Sequence, residues 1–482
     1  MGILDLTITQ LHQGFKDKKF TSVEVTKAYL TQIKKTDDKI GAYLILTEAL
    51  AMAQAEKADK IISSEKTFPM LCGVPCSIKD AILVAGEKAT AGSKILENYI
   101  APYDATVIAR LKRAGAVILG KVNMDEFAMG VSTENSAYKV TKNPHDLTRV
   151  AGGSSGGSAA SVSARQAVYS LGSDTGGSIR LPASFCGIVG LNPTYGAVSR
   201  YGLIAMASSL DQIGPMAKTV EDCKIVFDAI KGKDPLDATS VDSKIINHKS
   251  EILNLKIGVP KEYFAKGIDP EVEKIVRDAI QKTKKLGARI VPISLPTTKY
   301  AIACYYIIVP SEVSANLARF DGIKYGLSDR SGNDLLDVYV KSRGKGFGAE
   351  PKRRILIGTY ALSSGYYDAY YKKAQEIRKL IFQDFTDAFK KVDVIFSPVS
   401  PIPAFKIGEK KDEPLAMYLM DVYTCPVKLA GLPALSLPAG KIGKSKTLSG
   451  VEGLPVGLQI IGNHFEEGKI LSIAQKMESM LK

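Results

Sequence analysis

Apolar stretches of helical and extended period alternate along most of this chain. Thr21-Ser22-Val23-Glu24 has the spacing of a capping box and predicts a helix to about Lys35. Helical patterning resumes from Glu48 to about Ile62. Asp104 reads as the cap of a helix through Leu111 and Lys112, and Ala116-Val117-Ile118-Leu119 as a buried strand after it. Gly73 to Ile82 reads as a short strand entering a turn. Gly156 to Arg165 is rich in small residues, which suits a helix packed closely on a sheet, and Val168 to Leu171 returns as a strand. Ile257 to Pro260 ends a strand, Asp269-Pro270 opens a helix to about Leu286, and Ala288 to Ile293 is extended. Long helical segments occupy Leu356 to about Lys390, followed by strands at Val394-Ile395-Phe396, Leu432 to Leu437 and Val456 to Ile461. Alternation of this kind predicts an α/β fold, an α/β/α sandwich. No period of about 20–50 residues recurs, so a repeat architecture is excluded.

At 482 residues, length alone allows two to three domains, but no Pro/Ser-rich or charge-block linker divides the chain, which favours one large domain. A hydrophobic content of 45% and a charged content of 24% are those of a soluble globular protein. No run approaches the ~18–20 apolar residues of a membrane span. The first residues, MGILDLTITQ, have neither a basic segment nor a long apolar one, so no secretory signal and a cytoplasmic location are expected. The six cysteines are scattered and read as reduced core thiols. Cys72 and Cys76 lack the second pair or nearby histidine of a zinc site, so no metal is expected. The net charge of +14 suits an acidic partner such as tRNA, though lysine-rich solvated faces account for it as well.

The chemistry concentrates in two glycine-framed serines. Gly152-Gly153-Ser154-Ser155-Gly156-Gly157-Ser158 is followed by Asp174-Thr175-Gly176-Gly177-Ser178-Ile179-Arg180. Glycine lets backbone N–H groups turn inward, so a serine there has a nucleophilic oxygen beside donors for an oxyanion. The base is the open question. None of His12, His145, His248 and His464 lies inside either motif. Lys79, in Gly73-Val74-Pro75-Cys76-Ser77-Ile78-Lys79-Asp80, is the alternative. A lysine shielded from water loses pKa and can act as a base, and Ser–Lys pairs replace Ser–His pairs in some hydrolases. On its own the segment is equally an ordinary strand-end lysine.

Together these blocks resemble the amidase signature hydrolases. The resemblance extends through Gly120 to Gly130 (GKVNMDEFAMG), Cys186-Gly187, Gly190-Leu191, Pro193 to Gly196 and Ser208 to Pro215. Asn123 to Gly130, Asn316 to Gly322 and Gly358 to Tyr371 narrow it to the subunits that supply ammonia to tRNA-dependent amidotransferases. It implies one domain over 1–482 with a central mixed sheet, a signature core at about 65–220 and a C-terminal part, about 255–482, completing the sheet and pocket.

In that family the roles fall on a Ser-Ser-Lys relay. The resemblance implies Lys79 as base, Ser154 as the bridging serine behind a cis peptide, and Ser178 as nucleophile. The oxyanion is then expected on the N–H groups of Thr175, Gly176, Gly177 and Ser178. Arg354 and Asp421 match the residues that clamp the α-carboxylate and α-ammonium of glutamine, and Tyr305 and Met129 match residues of the same pocket. Solvated charges for the first two, and core packing for the others, are the alternatives from the residues themselves. Leu181 and Asn192 depart from the family pattern, which commonly has Gln and Lys there. The implied activity is glutamine hydrolysis through an acyl-enzyme ester, with ammonia passed on to convert Glu-tRNA(Gln) to Gln-tRNA(Gln). The implied partners are a B subunit that binds tRNA and ATP, and a small C subunit. No cofactor is expected in this chain, which has no Walker motif; ATP and Mg are expected at the partner. A stand-alone amidase for a simple amide is the competing enzyme, disfavoured by the zwitterion clamp. A non-catalytic, glycine-rich anion-binding or RNA-binding protein would leave Lys79 unexplained.

Overall fold

The computed structural model describes residues 2–242, 254–265, 267–410, 413–443 and 453–481. Their strands are β1 (Tyr43–Leu46), β2 (Pro75–Lys79), β3 (Val117–Val122), β4 (Lys142–Asn143), β5 (Asp146–Val150), β6 (Tyr169–Asp174) and β7 (Val189–Asn192). They continue with β8 (Gln212–Ala217), β9 (Lys256–Pro260), β10 (Arg289–Ile293), β11 (Val394–Pro398), β12 (Ala434–Ile442) and β13 (Leu454–Ile461). Eleven form one sheet in the order β1-β3-β2-β6-β8-β7-β12-β13-β11-β9-β10, and β4 and β5 form a separate pair. β2 runs parallel to both β3 and β6, whereas β6–β8 and β12–β13 are antiparallel, so the sheet is mixed. β2, β3, β6, β7, β8 and β13 are buried at every position, which requires cover on both faces. The strands of the signature segment and those of the C-terminal part thus share one α/β/α layer arrangement.

Most expected elements are present with shifted ends. The helix capped by Thr21 runs Ser22–Ile40, stopped by Gly41 at φ 72°, five residues beyond the expected end. Asp269 caps Pro270–Lys284, accepting from the N–H groups of Glu271 and Val272. Asp104 does not cap its helix. Ala105 occupies that position, and the Asp104 carboxylate instead accepts from Ala85 N–H at 2.8 Å and pairs with Lys112. A tertiary donor and a cation outcompete the local cap. The helical pattern at Leu356–Lys390 resolves into the helices Ala349–Leu362 and Lys373–Phe389, with a π-helical turn at Asp368–Lys372 between them. All six cysteines are buried and free.

Two helices of the C-terminal part place residues at the site. Ala301–Asn316 packs against Ala349–Leu362, with Gly358 against the Pro310 backbone, where a Cβ would lie 1.8 Å from the Pro310 carbonyl oxygen. Only glycine permits that approach. The segment Pro296–Arg319 reaches the length and composition of a membrane span, with a mean hydropathy of 1.3 over its most apolar window. That corrects the expectation that nothing in the chain comes close. Half of that window is buried inside the protein, where the helix packs on Ala349–Leu362 and Lys373–Phe389, so its apolarity serves the core.

Thr21 Oγ1 accepts from Glu24 N–H at 3.1 Å, and the Glu24 carboxylate accepts from Thr21 N–H at 2.8 Å. Thr21→Ala is therefore expected to lower unfolding free energy by about 1 kcal/mol, read from denaturant titration. An unchanged midpoint would show that the box contributes nothing.

Candidate active site

Parallel pairing of β2 and β6 brings Lys79 and Asp174, the last residue of each, to the same edge of the sheet. Ligand sites in such sheets form beyond the carboxyl ends of strands. The helix Gly156–Ser163 packs against both strands through small side chains: Ser158 Oγ donates to the Leu171 carbonyl, and the Ser77 and Ser161 hydroxyls lie 2.9 Å apart. Its N-terminus, with its partial positive charge, follows Ser154 and Ser155 directly.

Lys79 is completely buried. Its Nζ lies 2.7 Å from Ser154 Oγ, 2.8 Å from Ser155 Oγ and 3.2 Å from the Ser173 carbonyl oxygen. Burial pulls its pKa down to about 7, against the attraction of Asp125, Asp174 and Asp211. The next residue, Asp80, anchors the strand end: its carboxylate accepts from Thr90 and Gly92 and pairs with buried Lys121 at 3.3 Å. Ser154 follows a cis Gly153–Ser154 peptide. A Cβ at Gly153 would lie 2.1 Å from Asp125 Oδ2, so this backbone has room only for glycine.

Ser178 lies on the loop after β6 and keeps 7% exposure, while Ser154 has none. The loops are joined by a hydrogen bond from Ser155 N–H to the Ser178 carbonyl at 3.1 Å. Among the described residues no hydrogen bond joins the two hydroxyls of Ser154 and Ser178. Catalytic contacts of this kind commonly tighten only around substrate. The N–H groups of Gly176, Gly177 and Ser178 donate to no acceptor among the described residues. Buried ionic contacts hold the loop. Arg180 donates to both oxygens of Asp174 (3.1 and 3.0 Å), to the Gly176 carbonyl and to Gln459 Oε1 at 2.6 Å. Burial raises the Asp174 pKa, but Arg180 outweighs it and leaves the carboxyl below its usual value. Thr175 Oγ1 donates to Asp211 at 2.7 Å.

The proposed pocket residues divide into two groups. Tyr305 and Asp421 sit against the Ser178 loop: a Cβ on Gly176 would lie 2.6 Å from Tyr305 Oη, and one on Gly177 would lie 2.9 Å from Asp421 Oδ1. Burial, then repulsion from Asp174, raises the Asp421 pKa to about 7. Arg354 lines a cavity of about 280 Å³ together with Gly130, Glu350, Tyr306 and Tyr418. Its guanidinium lies 5.1 Å from the Tyr306 ring centre, and its Nε donates to Glu350 Oε1 at 2.7 Å. Gly130 links this cavity to the amine, because its far side abuts the Asp125 carboxylate that senses Lys79. Met129 is wholly buried in the apolar core, while its neighbours Gly130 and Val131 face the cavity. Ser155 and Glu350 escaped the sequence reading. Ser155 stands beside Ser154 with nothing local to separate their roles, and Glu350 precedes Arg354 by one helical turn, the spacing of an ion pair. No group of three or more metal-ligating side chains occurs among the described residues.

This fold and arrangement belong to one class: the amidase family profile matches residues 24–471, and the chain is a member of that family. Within it the chain is similar to the A subunit of glutamyl-tRNA(Gln) amidotransferase from Caldanaerobacter subterraneus subsp. tengcongensis, at 55% identity over 100% of this chain and 98% of that one. The protein of the same name from Koribacter versatilis is 53% identical over 100% and 99% of the two chains. The crystal structure of the protein of that name from Thermotoga maritima superposes with a TM-score of 0.80 at 40% identity, covering 99% of this chain and 95% of that one.

A lysine that must lose its proton to act gives a rate that rises with pH through its folded pKa. Labelling of Ser178 by a fluorophosphonate should therefore increase through about pH 7 and level off above it. Lys79→Met should lower the plateau at least about 100-fold. Labelling of that variant at the unsubstituted rate would remove Lys79 as the base.

Proposed function

We propose that this chain is the glutamine-hydrolysing subunit of a tRNA-dependent amidotransferase, releasing ammonia for conversion of Glu-tRNA(Gln) to Gln-tRNA(Gln) at a partner. The observation that carries the chemistry is the Lys79–Ser154 contact of 2.7 Å, sealed from water, beside a serine loop with unclaimed N–H donors. The relatives, named as one subunit of a glutamyl-tRNA(Gln) amidotransferase, support the assignment to a tRNA-dependent assembly.

In this reading the neutral Lys79 amine accepts the Ser154 proton as Ser154 takes that of Ser178. Ser178 Oγ bonds to the side-chain amide carbon of glutamine, and the carbonyl electron pair moves onto oxygen. The N–H groups of Thr175, Gly176, Gly177 and Ser178 hold that oxyanion; losing one such donor costs about 10²–10³ in rate. The relay returns its proton to the amide nitrogen, the C–N bond breaks and ammonia leaves. Water then adds to the ester, giving up a proton along the same path, and glutamate departs as Ser178 is reprotonated. Arg354 holds the α-carboxylate through the terminal nitrogens that Glu350 leaves free. Asp421 faces the α-ammonium, whose charge would restore the ionised form that burial disfavours. Tyr305 closes the pocket over Gly176, and Met129 backs it from the core.

The proposed partners are a B subunit that binds tRNA and ATP with Mg, and a small C subunit. The chemistry above requires no cofactor on this chain.

Ser178→Ala should give no glutamyl ester by mass spectrometry after mixing with glutamine; an ester that still forms would place the nucleophile elsewhere. Arg354→Ala removes a charge-assisted pair worth ~1.5–3 kcal/mol and should raise the KM for glutamine about 10- to 100-fold. An unmoved KM would mean that the carboxylate binds another group.

A further inference from the structure

Glu126 stands between two parts of the site, and the steps above leave it unused. It is 1% exposed. The residue before it, Asp125, donates its N–H to the Ser154 carbonyl at 3.3 Å. The Glu126 carboxyl group reaches the other way and accepts from Gly348 N–H, at 3.2 Å to Oε1 and 3.0 Å to Oε2. Gly348 is the N-cap of the helix Ala349–Leu362, which carries Glu350 in its first turn and Arg354 one turn later. In a capping box the acceptor for that N–H comes from three residues along the helix. Here it comes from 222 positions away. Ser93 completes the joint: its hydroxyl donates to Glu126 Oε1 and lies 3.3 Å from the Gly346 carbonyl oxygen. Phe127 packs on Phe347, with ring centres 5.7 Å apart. A Cβ on Gly348 would lie 2.3 Å from Glu126 Oε2, so the two segments touch with no space between them. The backbone after Glu126 is held against its preference. Phe127 and Ala128 have φ of 48° and 62°, a left-handed conformation that non-glycine residues keep only where surrounding contacts fix it. Burial raises the Glu126 pKa to about 7, but the joint does not need the charge. The neutral acid keeps a carbonyl oxygen for Gly348 and donates its O–H to Ser93, whose own proton then turns to Gly346.

We propose that Glu126 is a positioning residue for glutamine binding: by holding the first turn of Ala349–Leu362 against the loop that touches Ser154, it aims Arg354 at the substrate carboxylate. The contacts run from Glu126 to Gly348, along the first turn to Glu350, and from Glu350 Oε1 to Arg354 Nε at 2.7 Å. A first turn that frays carries Glu350 with it and releases the guanidinium. This rests on the reading that Arg354 binds the α-carboxylate of glutamine.

The test uses the assembled enzyme and the variants Glu126→Met, Glu126→Gln and Gly348→Ala, with Glu126→Met also combined with Arg354→Ala. The readouts are kcat and KM for glutamine, and amide hydrogen exchange over residues 348–353. Methionine keeps the volume and removes the acceptor, whereas glutamine restores a carbonyl oxygen for Gly348 and a donor for Ser93. Glu126→Met should raise KM about tenfold with kcat changed less than about threefold, and exchange over 348–353 should speed at least about tenfold. Glu126→Gln should return KM to within about threefold of the unsubstituted enzyme. Added to Arg354→Ala, Glu126→Met should change KM less than about twofold, because the group it aims is gone. Gly348 has φ −72°, open to any residue, so Gly348→Ala acts through its Cβ, which displaces the carboxyl group and should raise KM in the same sense. It decides if Glu126→Met does not fold. A folded Glu126→Met with unmoved KM would overturn the proposal. So would Glu126→Gln no better than Glu126→Met, or the same rise persisting on Arg354→Ala. If Arg354→Ala raises KM and Glu126→Met does not, the proposal alone fails; if Arg354→Ala leaves KM unmoved, the pocket assignment falls and the proposal with it. If the unsubstituted assembly does not hydrolyse glutamine, the substrate assignment fails, and the order of exchange rates still decides whether Glu126 holds the helix.

Discussion

Lys79 stands at the end of a strand buried on both faces, and its amine meets two hydroxyls and one carbonyl but, among the described residues, no carboxylate within hydrogen-bonding distance. That combination gives the site its chemistry. An ammonium paired directly to Asp or Glu would stay protonated; one surrounded by neutral dipoles, with carboxylates only at longer range, loses its proton near neutrality. Three acidic side chains, Asp125, Asp174 and Asp211, hold the pKa near 7 rather than lower, so the amine remains able both to take a proton and to return it.

The carboxylates have structural duties as well. Asp125 takes the N–H groups of Thr133 and Asn135, Asp174 takes Arg180, and Asp211 takes Thr175 together with the N–H groups of Met206 and Ala207. Each therefore fixes a loop and acts on the Lys79 amine at the same time. This coupling accounts for the density of buried polar groups at this end of the sheet, where preorganised dipoles act in a medium that screens them poorly. The specificity side is built separately, on helices of the C-terminal part. Gly358 lets Ala349–Leu362 close against Ala301–Asn316, so Tyr305 reaches the Ser178 loop of the signature segment while Arg354 lines the cavity shared with Gly130 and Tyr306.

Glu350 orders one wall of this cavity. It accepts from Arg354, Arg353 and Tyr418, and so fixes the guanidinium through Nε while its terminal nitrogens remain available. On the proposed role of Arg354, a substrate carboxylate would meet an aimed donor rather than a mobile one, which reduces the ordering cost of binding.

Much of this protein is local in origin and so legible in the chain. The glycine-framed serines, the Thr21 and Asp269 caps, and the strand–helix alternation depend on residues a few positions apart, where sterics and short-range hydrogen bonds dominate. The proposed role of Lys79 was legible only as a possibility, because that residue looks like any strand-end lysine until β3 and β6 close on either side and remove its water. The choice among competing partners was likewise tertiary. Asp104 abandoned its helix for Ala85 and Lys112, Ser155 came to share the lysine with Ser154, and Lys428 met Asn192 across 236 positions. Desolvation and charge act through space, and only the packed sheet decides which groups lose water together.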